Sequence, residues 1–233
     1  MEPVAVVVPT LNEAAAIGGV VAELRGAGVQ EVIVADSASR DGTPEIARAA
    51  GARVVGVGRT GYGSACAAGA AAASPECGII AFIDGDGADR GDLIARLVEP
   101  IAAGTHDFVI ASRTRGERAP GSMSWHQVLA GQLAGFGMGA LYGVRYSDMC
   151  AFRAIRKDVL GRMQMKERTY GWNLEMQLKA VTMGLRILEV PVHYRCRIGG
   201  VSKVSGNLRA SWQTVLKIIE VFHRVRREMR GAR

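Results

Sequence analysis

Four aspartates fall within nine positions in the stretch FIDGDGADRGD, at Asp84, Asp86, Asp89 and Asp92, directly after the apolar run GIIAF. Carboxylates crowded in this way repel one another, so the spacing asks for a cation or for plain solvation. Asp84 and Asp86, two positions apart just past an apolar strand, can turn oxygens onto a hard divalent ion. That ion can bridge two phosphate groups, which makes an acidic cluster a site for an anion. A calcium loop is a poor description of the same residues. Its fifth position is Ala88, its sixth Asp89 and its twelfth Ala95, where such a loop needs an oxygen ligand, a glycine and a glutamate. A second pattern, Gly56, Gly58 and Gly61, fits G-x-G-x-x-G after a strand, with an aspartate downstream as a dinucleotide site would have it. It follows the third strand instead of opening the domain, and the spacing is common in a chain with 30 glycines. A tight strand-to-helix turn accounts for it.

The elements that must position these residues alternate regularly over the first hundred positions. Residues 4–8, 31–35, 52–56, 78–83 and 106–111 are short β-branched runs without polar alternation, as strands buried on both faces should be. Helical segments are predicted between them at 14–26, 43–50, 63–73 and 90–103. This alternation predicts an α/β fold with a mostly parallel sheet flanked by helices. Ligands of such sheets bind beyond the carboxyl ends of the strands. The polar punctuation falls there: PTLNE, DSASRDGT, DGDGAD and SRTRG. A glycine-spaced apolar helix over 124–143, a helix at 171–183, a strand at 185–195 and a final helix over 206–229 complete the prediction. In the last of these, Leu208, Trp212, Val215, Ile219, Phe222, Val225 and Met229 share one apolar face.

Charge is unevenly distributed along the 233 residues. The net charge is +7, and the stretch Arg195–Arg233 carries +8 while the first 194 residues carry −1. An anionic partner is therefore expected at the C-terminal end: a diphosphate, a lipid head group or nucleic acid. Nucleic acid is disfavoured, because no stacking aromatics interleave the basic residues. The four cysteines show no C-x-x-C spacing, which argues against a zinc site or a disulfide framework. The N-terminus has no basic leader, and a cytoplasmic setting is expected.

Taken together, VVVPTLNEAAAI, ADSASRDGT, FIDGDGAD, ASR, SDMCAFRAIRKDVL, YGWNLEMQLKA, LEVPVHYR and RIGGVSKVSG resemble the family 2 glycosyltransferases of GT-A (Rossmann-like) fold, most closely the dolichyl- and polyprenyl-phosphate mannosyl- and glucosyltransferases. The resemblance covers about Val4 to Gly206. It implies a catalytic domain over 1–205 and a basic amphipathic helix over 206–233. It implies that Pro9, Leu11, Glu13, Asp36, Asp41 and Gly61 serve the donor nucleotide, and that Asp84 and Asp86 hold Mg²⁺ or Mn²⁺ against the donor diphosphate. Arg113 would contact the acceptor phosphate, Arg197 and Lys203 would close over the diphosphates, and Trp172 and Glu175 would border the sugar pocket. The chain departs from the family pattern at Ala35, where an aspartate is common, and at Ala88, where a third polar group often stands near the metal.

Inverting transfer to a hydroxyl needs a general base, and His126 is the one histidine on the expected acceptor side. A phosphate acceptor is already an anionic nucleophile at neutral pH and needs only positioning. The expected function is metal-dependent inverting transfer of a hexose from a nucleotide sugar to a polyprenyl or dolichyl phosphate. Peripheral contact with the cytoplasmic membrane face would come through the basic C-terminal helix. The rivals are a soluble family 2 enzyme with a hydroxyl acceptor, a dinucleotide-binding oxidoreductase built on Gly56, Gly58 and Gly61, and an idle subunit that recruits a membrane enzyme.

Overall fold

Valine-rich and isoleucine-rich runs form the centre of the protein. In VAVVVPT, β1 (Val4–Thr10), every residue is buried, as a parallel strand covered on both faces requires. The computed structural model describes residues 2–123, 125–144, 146–198 and 220–228. Chain order runs β1, α1 (Ile17–Gly26), β2 (Glu31–Asp36), α2 (Thr43–Ala49), β3 (Arg53–Gly56), α3 (Tyr62–Ala72), β4 (Ile79–Phe82) and a 3-10 turn (Gly91–Leu93). Next come α4 (Ala95–Ala102), β5 (Phe108–Ser112), α5 (Trp125–Tyr142), β6 (Arg153–Arg156), α6 (Lys157–Met163), α7 (Trp172–Thr182) and β7 (Ile187–Pro191). The helix predicted over 90–103 is thus split, and the strand predicted over 185–195 is shorter.

The strands form one seven-stranded sheet in the order β3-β2-β1-β4-β6-β5-β7. Pairings of β1 with β2, β1 with β4, β2 with β3 and β5 with β7 are parallel. The sequence reading missed β6, which lies antiparallel between β4 and β5. Because β1 has β2 on one side and β4 on the other, the order reverses at β1, and a crevice opens beyond the carboxyl ends of β1 and β4.

Small residues bring the helices close. Along α3, YGSACAAGAAA, Gly69 packs on β1 so tightly that a Cβ there would overlap Val7 Cγ1. In α5 the backbone at Gly135 abuts the Tyr146 carbonyl with no room for a Cβ, so part of the glycine spacing serves packing within the domain. Residues 220–228 are helical, with Val221 and Val225 fully buried and Phe222 packed near Gly137 of α5. Of the apolar face predicted for the final helix, Leu208, Trp212, Val215, Ile219 and Met229 lie outside the described residues.

Candidate active site

The four aspartates have four different environments. Asp84, just past β4, accepts a hydrogen bond from the Tyr62 hydroxyl at 3.1 Å. Asp86 accepts from the Ala88 amide at 3.0 Å, and its own carbonyl accepts from the Ile198 amide at 2.8 Å. Asp89 is buried beneath them beside Cys150 Sγ at 3.7 Å. Asp92 points away and pairs with Arg90. Burial pushes the Asp84 carboxyl up to about 6, with the charge of Asp86 adding to it. Burial pushes Asp89 up to about 7, reinforced by the charge of Asp84.

Asp84 and Asp86 line a cavity of about 810 Å³ together with Pro9, Leu11, Glu13 and Gly61. Arg113, Arg197, Tyr62, Tyr170 and Tyr194 also face it. Two guanidiniums therefore stand across from two carboxylates. An Arg197 terminal nitrogen lies 3.6 Å from both Glu13 Oε1 and Asp86 Oδ2. Arg113, just past β5, donates from Nε to Asp148 Oδ2 at 2.8 Å and from a terminal nitrogen to Oδ1 at 2.7 Å, and its guanidinium lies 5.0 Å from the Tyr194 ring centre. A rigid guanidinium of this kind is suited to an oxyanion.

Several expected site residues do not themselves line this cavity. Asp36, at the end of β2, is buried and accepts from Thr10 Oγ1 at 2.9 Å and from Ser39 Oγ at 2.6 Å. Burial pushes the Asp41 carboxyl up, but hydrogen bonds from Thr43 Oγ1 at 2.6 Å, the Ala14 amide at 3.0 Å and the Thr43 amide together outweigh it and hold the carboxyl below the ordinary value. These two aspartates tie the loops after β1 and β2 together and do not line the cavity. Trp172 is 2% exposed and stacks edge-on against Phe82 at 6.1 Å. Glu175 is fully buried, paired with Lys179 at 2.9 Å, and accepts from the Lys166 and Glu167 amides. Both lie inside the fold and off the cavity wall, because α7 is buried along most of its length. The side chain of His126 and all of Lys203 lie outside the described residues. Tyr62, Asp148 and Tyr194 were not singled out from sequence.

Among the described residues, no group of three or more His, Cys, Asp and Glu side chains is placed to hold a metal by itself. The two oxygen donors at Asp84 and Asp86 fit a hard cation whose shell is completed by phosphates and water, the usual arrangement for Mg²⁺. The turn at Gly56–Gly61 leads into α3 with Gly58 and Gly61 at φ of 64° and 98°, as a tight strand-to-helix connection needs.

Residues 5–163 match the family described as glycosyl transferase family 2, and the chain belongs to that family. It is a glycosyltransferase of α/β, GT-A-like fold; the oxidoreductase reading is set aside. An uncharacterized glycosyltransferase of Mycobacterium tuberculosis is 34% identical over 224 residues, covering 94% of this chain and 98% of the relative. A dolichyl-phosphate hexose transferase of Haloferax volcanii is 34% identical over 202 residues, 85% of each chain. Glucosyl-3-phosphoglycerate synthase from Mycobacterium tuberculosis, crystallised with Mn²⁺, UDP-glucose and phosphoglyceric acid, superposes with a TM-score of 0.72 at 24% identity, over 94% of this chain and 79% of that one.

Proposed function

We propose that this glycosyltransferase moves a hexose, with inversion, from a nucleoside-diphosphate sugar to a polyprenyl phosphate. The observation that carries the reading is the juxtaposition of Asp84 and Asp86 with Arg113 and Arg197 across one cavity at the switch point of the sheet. The loop after β1, Pro9 to Glu13, would receive the nucleotide. Asp84 and Asp86 would hold Mg²⁺ or Mn²⁺, which would neutralise charge on the leaving diphosphate. Arg197, already between Glu13 and Asp86, would share that task by exchanging a carboxylate partner for a phosphate. Arg113, fixed by Asp148 and Tyr194, would hold the acceptor phosphate in line with the anomeric carbon. None of the described histidine side chains lines the cavity, which suits an acceptor that needs no base. The dolichyl-phosphate hexose transferase relative supports the lipid-phosphate acceptor. Peripheral membrane contact fits the exposed Leu129 and Phe136, seven residues apart on one side of α5. Among the described residues no helix is long and apolar enough to cross a membrane.

Calorimetry with UDP-glucose and GDP-mannose, with Mn²⁺ and then with EDTA, tests the donor side. Binding of one donor is expected to need the metal and to weaken at least about tenfold in Asp86→Asn, since one of two metal-holding carboxylates is lost. Transfer of radiolabelled hexose to undecaprenyl phosphate tests the acceptor side. Turnover that proceeds equally well without the lipid phosphate would favour a hydroxyl acceptor, and binding of neither donor would remove the reading.

A further inference from the structure

The segment 220–228 docks on α5 through Phe222, on α7, and on the connection between α6 and α7. Val221 lies so close to Gly171 that a Cβ there would stand 3.0 Å from Val221 Cγ2. A terminal nitrogen of Arg224 meets Glu167 Oε2 at 3.0 Å and Glu175 Oε2 at 3.8 Å. One turn on, Glu228 meets Lys166 at 3.1 Å and Lys179 at 3.4 Å. Glu167 and Glu175 are both buried, so the guanidinium faces two carboxylates removed from solvent.

The gripped connection also walls the cavity. Glu167 Oε1 accepts from the Thr169 amide at 3.0 Å and from its hydroxyl at 2.5 Å, and Thr169 and Tyr170 line the cavity. The same backbone braces the start of α3. The Arg168 carbonyl accepts from the Ser64 amide at 3.0 Å, and a Cβ on Gly61 or Gly63 would run into the 167–168 backbone at 2.7 and 2.5 Å. Between those glycines stands Tyr62, whose hydroxyl donates to Asp84. A continuous set of contacts therefore leads from Arg224 through Glu167 and the 167–170 backbone to the head of α3 and the D-x-D aspartates.

We infer that Arg224 is a positioning residue for the donor cavity, fixing through Glu167 the loop 167–170 that walls the cavity and braces the start of α3. The inference rests on the donor reading above. It gives the C-terminal segment a task inside the enzyme: its docking sets how well the donor site is formed.

The test compares full-length wild type, Arg224→Gln and Arg224→Lys by hydrogen–deuterium exchange and by calorimetric binding of UDP and of GDP with Mn²⁺. Removing a cation that faces buried carboxylates should loosen the local structure first. Arg224→Gln is expected to speed exchange about tenfold in peptides covering 164–171 and 61–66, while peptides from β1 and β5 stay as in wild type. Nucleotide affinity should fall about tenfold, and Arg224→Lys should restore most of both effects. Unchanged exchange at 164–171, or a rise spread evenly over the sheet, overturns the inference. So does wild-type nucleotide binding that Arg224→Gln leaves intact. Wild type that binds neither nucleotide overturns the donor reading instead, and with it the functional part of this inference. Should Arg224→Gln not fold, Val221→Ala, which thins the same docking without removing a charge, is judged on the same readouts.

Discussion

Arg113 shows how the site fixes a cation that could otherwise swing. Its amide, Nε and one terminal nitrogen all donate to the single carboxylate of Asp148, which is itself buried. A buried pair of this sort adds little against an apolar replacement, yet removing one partner strands the other charge, a loss of roughly 3–5 kcal/mol. Asp148→Asn, nearly isosteric, is therefore expected to lower unfolding stability by about 3 kcal/mol in urea titrations without changing the slope. A loss below ~1 kcal/mol would mean that Arg113 finds another partner. Single residues of the site were legible from sequence where a side chain follows a strand directly: Asp84, Asp86 and Arg113 reach the cavity for that reason. Asp148 was not, because its role depends on a loop between α5 and β6 meeting the end of β5, a contact 35 positions distant in sequence. Trp172 and Glu175, which the resemblance sets beside the sugar pocket, are buried off the cavity wall for the converse reason. Their burial is settled by what packs around α7, including residues 220–228.

At the level of elements, β1, β2 and β4 could be read from runs of Val and Ile, since strands buried on both faces have no alternative pattern, whereas β3, expected to be buried as well, is a half-exposed edge strand. Strand β6 could not. It has four residues and two arginines, and Arg153 is fully buried on donations to the Cys150 and Asn173 carbonyls and on the ring of Phe108 5.9 Å away. No local signal announces a buried arginine whose partners are a carbonyl three residues back and another in α7, twenty residues on. Helix α3 presents the opposite case, a run of small residues whose weak amphipathicity reflects how closely it lies on β1. Replacing Gly69 by alanine sets two effects against each other. Helix propensity improves by up to about 1 kcal/mol, while the added methyl must displace Val7 in a close-packed layer, a loss of about 1–3 kcal/mol. The net expectation for Gly69→Ala is a destabilisation of about 1 kcal/mol, read as a lower urea midpoint at unchanged slope. A stabilised variant would show that α3 can shift away from the sheet freely.

For the molecule as a whole, the aspartate cluster should leave a signature in the dependence of stability on pH. Asp84 and Asp89 have folded-state values of about 6 and about 7 against an ordinary 3.8, through burial first and then through the charge of Asp86 on Asp84 and of Asp84 on Asp89. Between those limits the folded chain holds protons that the unfolded chain has released, so stability falls as pH rises. The contribution is complete below about pH 4 and lost as pH climbs through 6 to 7. At Asp84 the difference corresponds to roughly 3 kcal/mol, reduced to about 2 by its partial exposure to the cavity. Asp107 acts in a separate window. Hydrogen bonds from Arg186 hold it at about 2, so its stabilisation is present above about pH 4 and disappears only in stronger acid. The metal-free protein should therefore unfold at a lower urea concentration at about pH 7.5 than at about pH 4.5. A divalent cation, which favours the ionised carboxylates, should raise the midpoint at the higher pH and do little at the lower. Asp86→Asn, which removes the like charge acting most strongly on Asp84, should flatten the slope and blunt the response to Mn²⁺ together. A midpoint that climbs between those two pH values, or a cation effect equal at both, would mean that the cluster is neutralised from within the protein and has no need of a metal.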